Sequence, residues 1–260
     1  RMRRYFITQY PTFGSYAKPI RSKIETSPYF FWWLALTHNS DYIELCNNPS
    51  ANRFKTNNDI LKVYKDFGDV RYEGDKYIAF TKWWRSKVND TETRGEYLFA
   101  EPTTINKVML IEDRDTAIQS ADDESSLLIR IPKALTRRQI DMSIERIFSK
   151  EMTFEKGRQT RNPTRSNARY SLSSPIKVDN LKIVFEVYEH ILLANSKNEK
   201  VSNYQIAKRV GLVVKMDKID EDVRTDRDTA YEHKVIGVAV SRKKKIAIDA
   251  ISNVVEGKFG

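Results

Sequence analysis

The chain is poor in cysteine and in histidine, and each shortage removes a class of chemistry. Cys46 is the single cysteine, so no intrachain disulfide and no thiolate metal cluster is expected. Such usage suits a reducing cytosol, which is the expected location. The three histidines, His38, His190 and His233, lie far apart and share no metal-type spacing. The longest apolar run, Tyr29–Leu36, is far short of the roughly 20 residues that span a bilayer. No leader with a small-residue cleavage site precedes it, so neither membrane insertion nor secretion is expected. The nine glycines form no Walker loop, dinucleotide fingerprint or nucleophile elbow. Asp113, Asp115, Asp122, Asp123 and Glu124 lack the spacing of a calcium loop and read as a solvated acidic loop. A two-metal nuclease needs acids and a lysine on adjacent strands, and no Glu-x-Lys partner accompanies Asp113. The reading is non-enzymatic, without cofactor or metal.

What the chain has is positive charge in one half. Lys and Arg total 45 against 35 Asp and Glu, a net charge of +10. Residues 133–260 hold 26 bases and 17 acids, or +9, which leaves 19 and 18, or +1, for residues 1–132. A region that must displace counterions from a polyanion needs this asymmetry, so nucleic acid, DNA above all, is the expected partner. The rest of the composition, 40% hydrophobic and 31% charged, is that of an ordinary globular protein.

The expected fold is α+β and mainly helical, with an aromatic-rich N-terminal region and a C-terminal helix-turn-helix-like domain. Residues 1–26 read as a basic arm carrying Arg3, Arg4, Arg21 and Lys23, interrupted by Pro11, Gly14 and Pro19. An aromatic α+β domain over residues 27–152 opens on Ser27-Pro28, a helix start. The periodicity predicts helices over Pro28–Asn47, Asn58–Phe67, Lys76–Val88 and Thr136–Lys150. The last is expected to pack on strands at Val108–Ile111 and Leu127–Ile131, two short runs rich in β-formers. His38 falls on the apolar face of the first helix, where a core or interface histidine is the expected role. Residues 153–178 read as a basic linker, with Arg161, Arg165 and Arg169 recurring every four residues. Residues 179–260 form the last domain, with helices over Asn180–Ala194, Asn203–Val210 and about Thr229–Val255.

Within that domain Ala207 and Gly211 stand four apart, with Ile206, Val210 and Leu212 as apolar contacts. This is the pattern of the first helix and turn of a helix-turn-helix, although an ordinary helix with a glycine cap shares it. Asn203, Tyr204, Gln205, Lys208 and Arg209 are expected to face outward and to bond phosphates. The stretch Lys215–Asp228 holds six acids against four bases, and a net negative helix does not enter a groove lined with phosphates. The recognition helix is therefore expected over Val238–Asn253, where Ser241, Arg242, Lys244 and Lys245 precede an apolar stripe. Consecutive charges wrap around a helix, so Arg242 and Lys245, three apart, are the pair expected to act together.

The run Ser27–Tyr42, with its aromatic-Trp core followed by Asn39 and Tyr42, resembles the opening helix of bacterial transcriptional-regulator-like domains. Asp66–Val70, Trp83-Trp84, Leu98–Pro102 and Ile251–Phe259 are similar to fragments of uncharacterised prophage and integrative-element proteins. The resemblance implies a DNA-associated protein of a mobile element and no particular reaction. The expected function is thus a transcriptional regulator or replication accessory, with the Trp-rich N-terminal helices offering a homodimer or protein-partner surface. The alternative is a structural or assembly component of a phage or mobile-element complex. A nuclease or recombinase is the third reading.

Overall fold

In the computed structural model, residues 5–7, 11–102, 110–121, 127–151, 166–172, 177–214 and 226–259 are described. They divide into two units of packing, one formed by residues 1–101 and 162–260, the other by residues 102–161.

Ser27-Pro28 starts a helix as its chemistry dictates: Ser27 is extended and Pro28 takes the first helical position. After the short α1 (Arg21–Ile24), α2 (Pro28–His38) buries every side chain from Pro28 to Leu36. A helix that is apolar on all sides belongs in a core, not at a surface. It does not continue to Asn47 as expected. Asn39 leaves the helical region and its Oδ1 accepts from the Tyr42 amide at 2.9 Å, which starts a new helix, α3 (Ser40–Asn47).

α4 (Asn58–Phe67) is capped by Asn57, α5 (Lys76–Arg85) by Asp75, and α6 (Arg94–Phe99) by a Thr93/Glu96 capping box. Their aromatic residues enclose α2. Trp32 stacks on Phe67 at 6.0 Å and on Phe259 at 5.3 Å, with Phe99 and Tyr170 edge-on to it. Trp33 meets Phe80 and Trp83. The Trp83 indole N–H donates to the Phe67 carbonyl at 2.8 Å. Each aromatic pair adds about 0.5–1.5 kcal/mol beyond the area it buries.

Three C-terminal helices, α9 (Val178–Ser196), α10 (Asn203–Arg209) and α11 (Asp226–Asn253), complete this unit. Leu181, Val184 and Phe185 of α9, Ala247 and Ile251 of α11, and Val254 and Phe259 beyond it belong to the same aromatic core as Trp32. The boundary expected at residues 153–178 is therefore not a boundary of the core, because the aromatic half and the basic half are packed together. The four tryptophans are at most 7% exposed, so the expected Trp-rich partner surface is not at the surface. Polar contacts close the same unit. Asp66 is buried and accepts from Tyr97 Oη at 3.1 Å and Tyr170 Oη at 2.9 Å. Buried Glu101 accepts from the Ser166 hydroxyl and, at 2.8 Å, from the Asn167 amide.

In the second unit, α7 (Arg114–Ala121) and α8 (Arg137–Glu151) are the described helices. Leu110-Ile111 and Leu127–Ile131 are irregular, not strands, and Val108-Met109 lie outside the described residues. No sheet is present among the described residues, so the α+β expectation gives way to a mainly helical chain. The Ile140, Ile144, Ile147 and Phe148 stripe of α8 is half-exposed, and no residue of α8 is buried.

Candidate nucleic-acid interface

α10 is short because both its ends are fixed by side chains and a turn. At its start Ser202 and Gln205 form a reciprocal capping box. At its end Gly211 adopts φ 64°, the left-handed region in which glycine carries no Cβ penalty. The Leu212 amide donates to the Ala207 carbonyl at 2.9 Å and the Gly211 amide to Lys208 at 3.4 Å, a Schellman termination. Ile206 and Ala207 then pack on Val187 of α9 and on Ile236 and Val240 of α11. Asn203 Nδ2 donates to the Gly237 carbonyl and to Ser241 Oγ, both at 3.3 Å, and so fixes α10 across α11. A cavity of about 230 Å³ opens between the three helices, with Ala194, Asn203, Ile206, Val240, Ser241 and Lys244 among its lining.

This packing separates the expected contact residues. Tyr204 does not face outward: it is half-buried, its ring 4.0 Å from that of His233. Gln205 is occupied by the capping box, its Oε1 accepting from the Ser202 amide at 2.9 Å. Asn203 and Ser241 hydrogen-bond to each other. Arg209 lies 3.8 Å from Glu199, while Lys208 is exposed. Arg169 is not a free phosphate contact, since its guanidinium sits 4.3 Å over the Tyr97 ring and 4.0 Å from Asp66. Arg161 and Arg165 lie outside the described residues, as do Arg3 and Arg4. Arg21 is paired with Asp75 at 2.7 Å.

The α11 cations sort by helical phase. Lys243 turns inward and donates to Asn180 Oδ1 of α9. Lys244 is exposed beside the cavity. Arg242 and Lys245 are exposed on the face opposite the buried Val240, Ala247 and Ile251. Lys234, two turns before Arg242, is exposed on that same face and was not singled out in the sequence. Its signal was available: Lys234, Val238, Arg242 and Lys245 recur at spacings of three and four. Neither Lys234, Arg242 nor Lys245 has an ion-pair partner among the described residues.

Elsewhere in the unit, His38 forms a charged cluster with α5 and α9. His38 Nε2 lies 3.5 Å from Glu189 Oε1, and Lys76 Nζ reaches both carboxylate oxygens at 2.7 and 2.9 Å. Burial alone would raise the Glu189 carboxyl; His38 and Lys76 outweigh it and hold it below the usual carboxylate range. The His38 ring rests against Phe185 and Tyr188, so this histidine serves packing. Among the described residues no cluster of His, Cys, Asp and Glu is arranged to hold a metal ion.

No known protein family, curated protein or solved structure matches the chain.

Proposed function

We propose that the protein binds DNA without catalysing a reaction on it, as a transcriptional regulator or replication accessory of a bacterial mobile element or phage. The observation that carries this reading is the outer face of α11. Lys234, Arg242 and Lys245 stand exposed on one side of a helix whose other side is anchored twice. Its first half is held by Ile236 and Val240 against α9 and α10, and its second half by Ala247 and Ile251 in the aromatic core. A rigid helix holds cations at fixed separations, which a mobile arm does not. Lys208 of α10 and Lys244 add to the positive field. The mobile-element assignment rests on the sequence resemblance alone. The assembly-component alternative loses the surface it relied on, because the tryptophans are interior.

The test is retention of duplex DNA by the intact protein as salt is raised. DNA binding through phosphates gives an affinity that falls linearly on a log–log plot, with a slope of about −0.9 per phosphate neutralised. A duplex that is not retained even at low salt overturns the proposal. Incubation of plasmid with magnesium or manganese gives intact plasmid, whereas cleavage moves the protein to the nuclease reading.

A further inference from the structure

The outer face of α11 carries more than charge. Tyr231, Lys234, Val238, Arg242 and Lys245 follow one another at steps of three or four residues and are all exposed, with Tyr231 at 64% and Val238 at 44%. At 1.5 Å per residue the stripe is about 21 Å long. Lys234 and Arg242, four residues either side of Val238, lie about 40° to its left and right by helical geometry. Tyr231 and Lys245, seven residues either side of Val238, lie about 20° from it. The centre line is therefore apolar at Tyr231 and Val238 and ends on Lys245, with Lys234 and Arg242 on its flanks. Asp249, exposed one turn beyond Lys245, ends the stripe with a charge that phosphate repels.

We infer that this face enters the major groove of B-form duplex DNA, with Val238 against base edges and Lys234, Arg242 and Lys245 on the flanking phosphates. The inference rests on the DNA-binding reading above and specifies its ligand. A helix with its side chains is about 10–12 Å across, and the B-DNA major groove is about 12 Å wide. Phosphates give an exposed valine nothing to touch, whereas the thymine methyl group in the major groove does. A-form RNA hides its base edges in a deep, narrow major groove that such a helix cannot enter. Single strands are held by successive aromatic platforms, and Tyr231 is the single exposed aromatic on this face among the described residues.

The experiment uses the intact protein and three labelled probes of one sequence: duplex DNA, duplex RNA and single-stranded DNA. Fluorescence anisotropy at low salt gives duplex DNA bound about tenfold or more tightly than either of the others. Dimethyl sulfate then reads the groove, because guanine N7 lies in the major groove and adenine N3 in the minor. Saturating protein is expected to suppress N7 methylation. Duplex DNA bound with N7 unprotected, or with adenine N3 alone protected, overturns the groove assignment and leaves the DNA-binding reading standing. Equal affinity for RNA or for the single strand does the same. Failure to bind any of the three probes removes both.

Discussion

Asn39 and Ile251 are joined by a buried hydrogen bond, the Asn39 Nδ2 donating to the Ile251 carbonyl at 2.8 Å across 212 residues of chain. One side chain thus caps α3 through Oδ1 and satisfies, through Nδ2, one of the carbonyls left over at the end of α11. The break between α2 and α3 is thus a point at which the N-terminal aromatic helices hold α11.

Replacing Asn39 tests that junction. Asn39→Ala removes a cap worth about 1 kcal/mol and leaves a buried acceptor unpaired at about 1–3 kcal/mol. Asn39→Asp keeps the capping oxygen but loses the donor, so it also destabilises. Urea unfolding midpoints measure both. An Asp variant as stable as the parent shows that capping alone matters there.

Gly95 is required by a neighbour. A Cβ at this position would lie 2.1 Å from Trp84 Cε2, far inside contact distance. Gly95→Ala must push an indole that is packed on Phe80 and Phe99. The expected cost is at least the usual overpacking range of about 1–3 kcal/mol, read as a lowered thermal midpoint. An unchanged midpoint contradicts the packing of α5 on α6.

Cys46 reports on native-state opening. Burial pushes its thiol up to about 11, so at pH 8 only about one molecule in a thousand carries thiolate. Ellman's reagent is expected to label the folded protein slowly and the urea-unfolded protein at once. Rapid stoichiometric labelling without denaturant contradicts the burial of α3.

The Glu189 cluster sets an acid limit. The folded carboxyl titrates below its unfolded value, so its stabilisation is present above the unfolded range, about pH 4.3, and is lost as pH falls through the folded value. Unfolding midpoints of the parent therefore drop below about pH 4.3 more steeply than those of Glu189→Gln. Parallel curves for the two proteins place the acid sensitivity elsewhere.

Much of the helical framework could be read from local chemistry. α4 and α10 follow their apolar spacing and end at Gly68 and Gly211, so period and punctuation agree. α2 and α3 read as one helix because Asn39 interrupts the backbone without interrupting the apolar pattern. Leu127–Ile131 read as a strand on residue type alone, and the described structure gives it no partner strand. The joint core was illegible because its decisive contacts, Trp32 with Phe259 and Asn39 with Ile251, join residues more than two hundred positions apart. At the candidate site, Arg242 and Lys245 were recoverable from helical phase. Tyr204, Gln205 and Arg169 were harder to place, because the Tyr204 ring packs on His233, the Gln205 Oε1 accepts from the Ser202 amide, and the Arg169 guanidinium lies against Tyr97 and Asp66. Which partner occupies a polar side chain is decided by folding, not by its type.

The most direct measurement compares the salt dependence of duplex DNA binding for the parent and for Arg242→Ala/Lys245→Ala. Both side chains are exposed and unpaired among the described residues, so the double variant keeps the parent's unfolding midpoint. If α11 is the DNA-contacting helix, two phosphate contacts are lost and the log–log salt slope becomes shallower by about 1.8. An unchanged slope and affinity in a folded double variant contradicts that assignment.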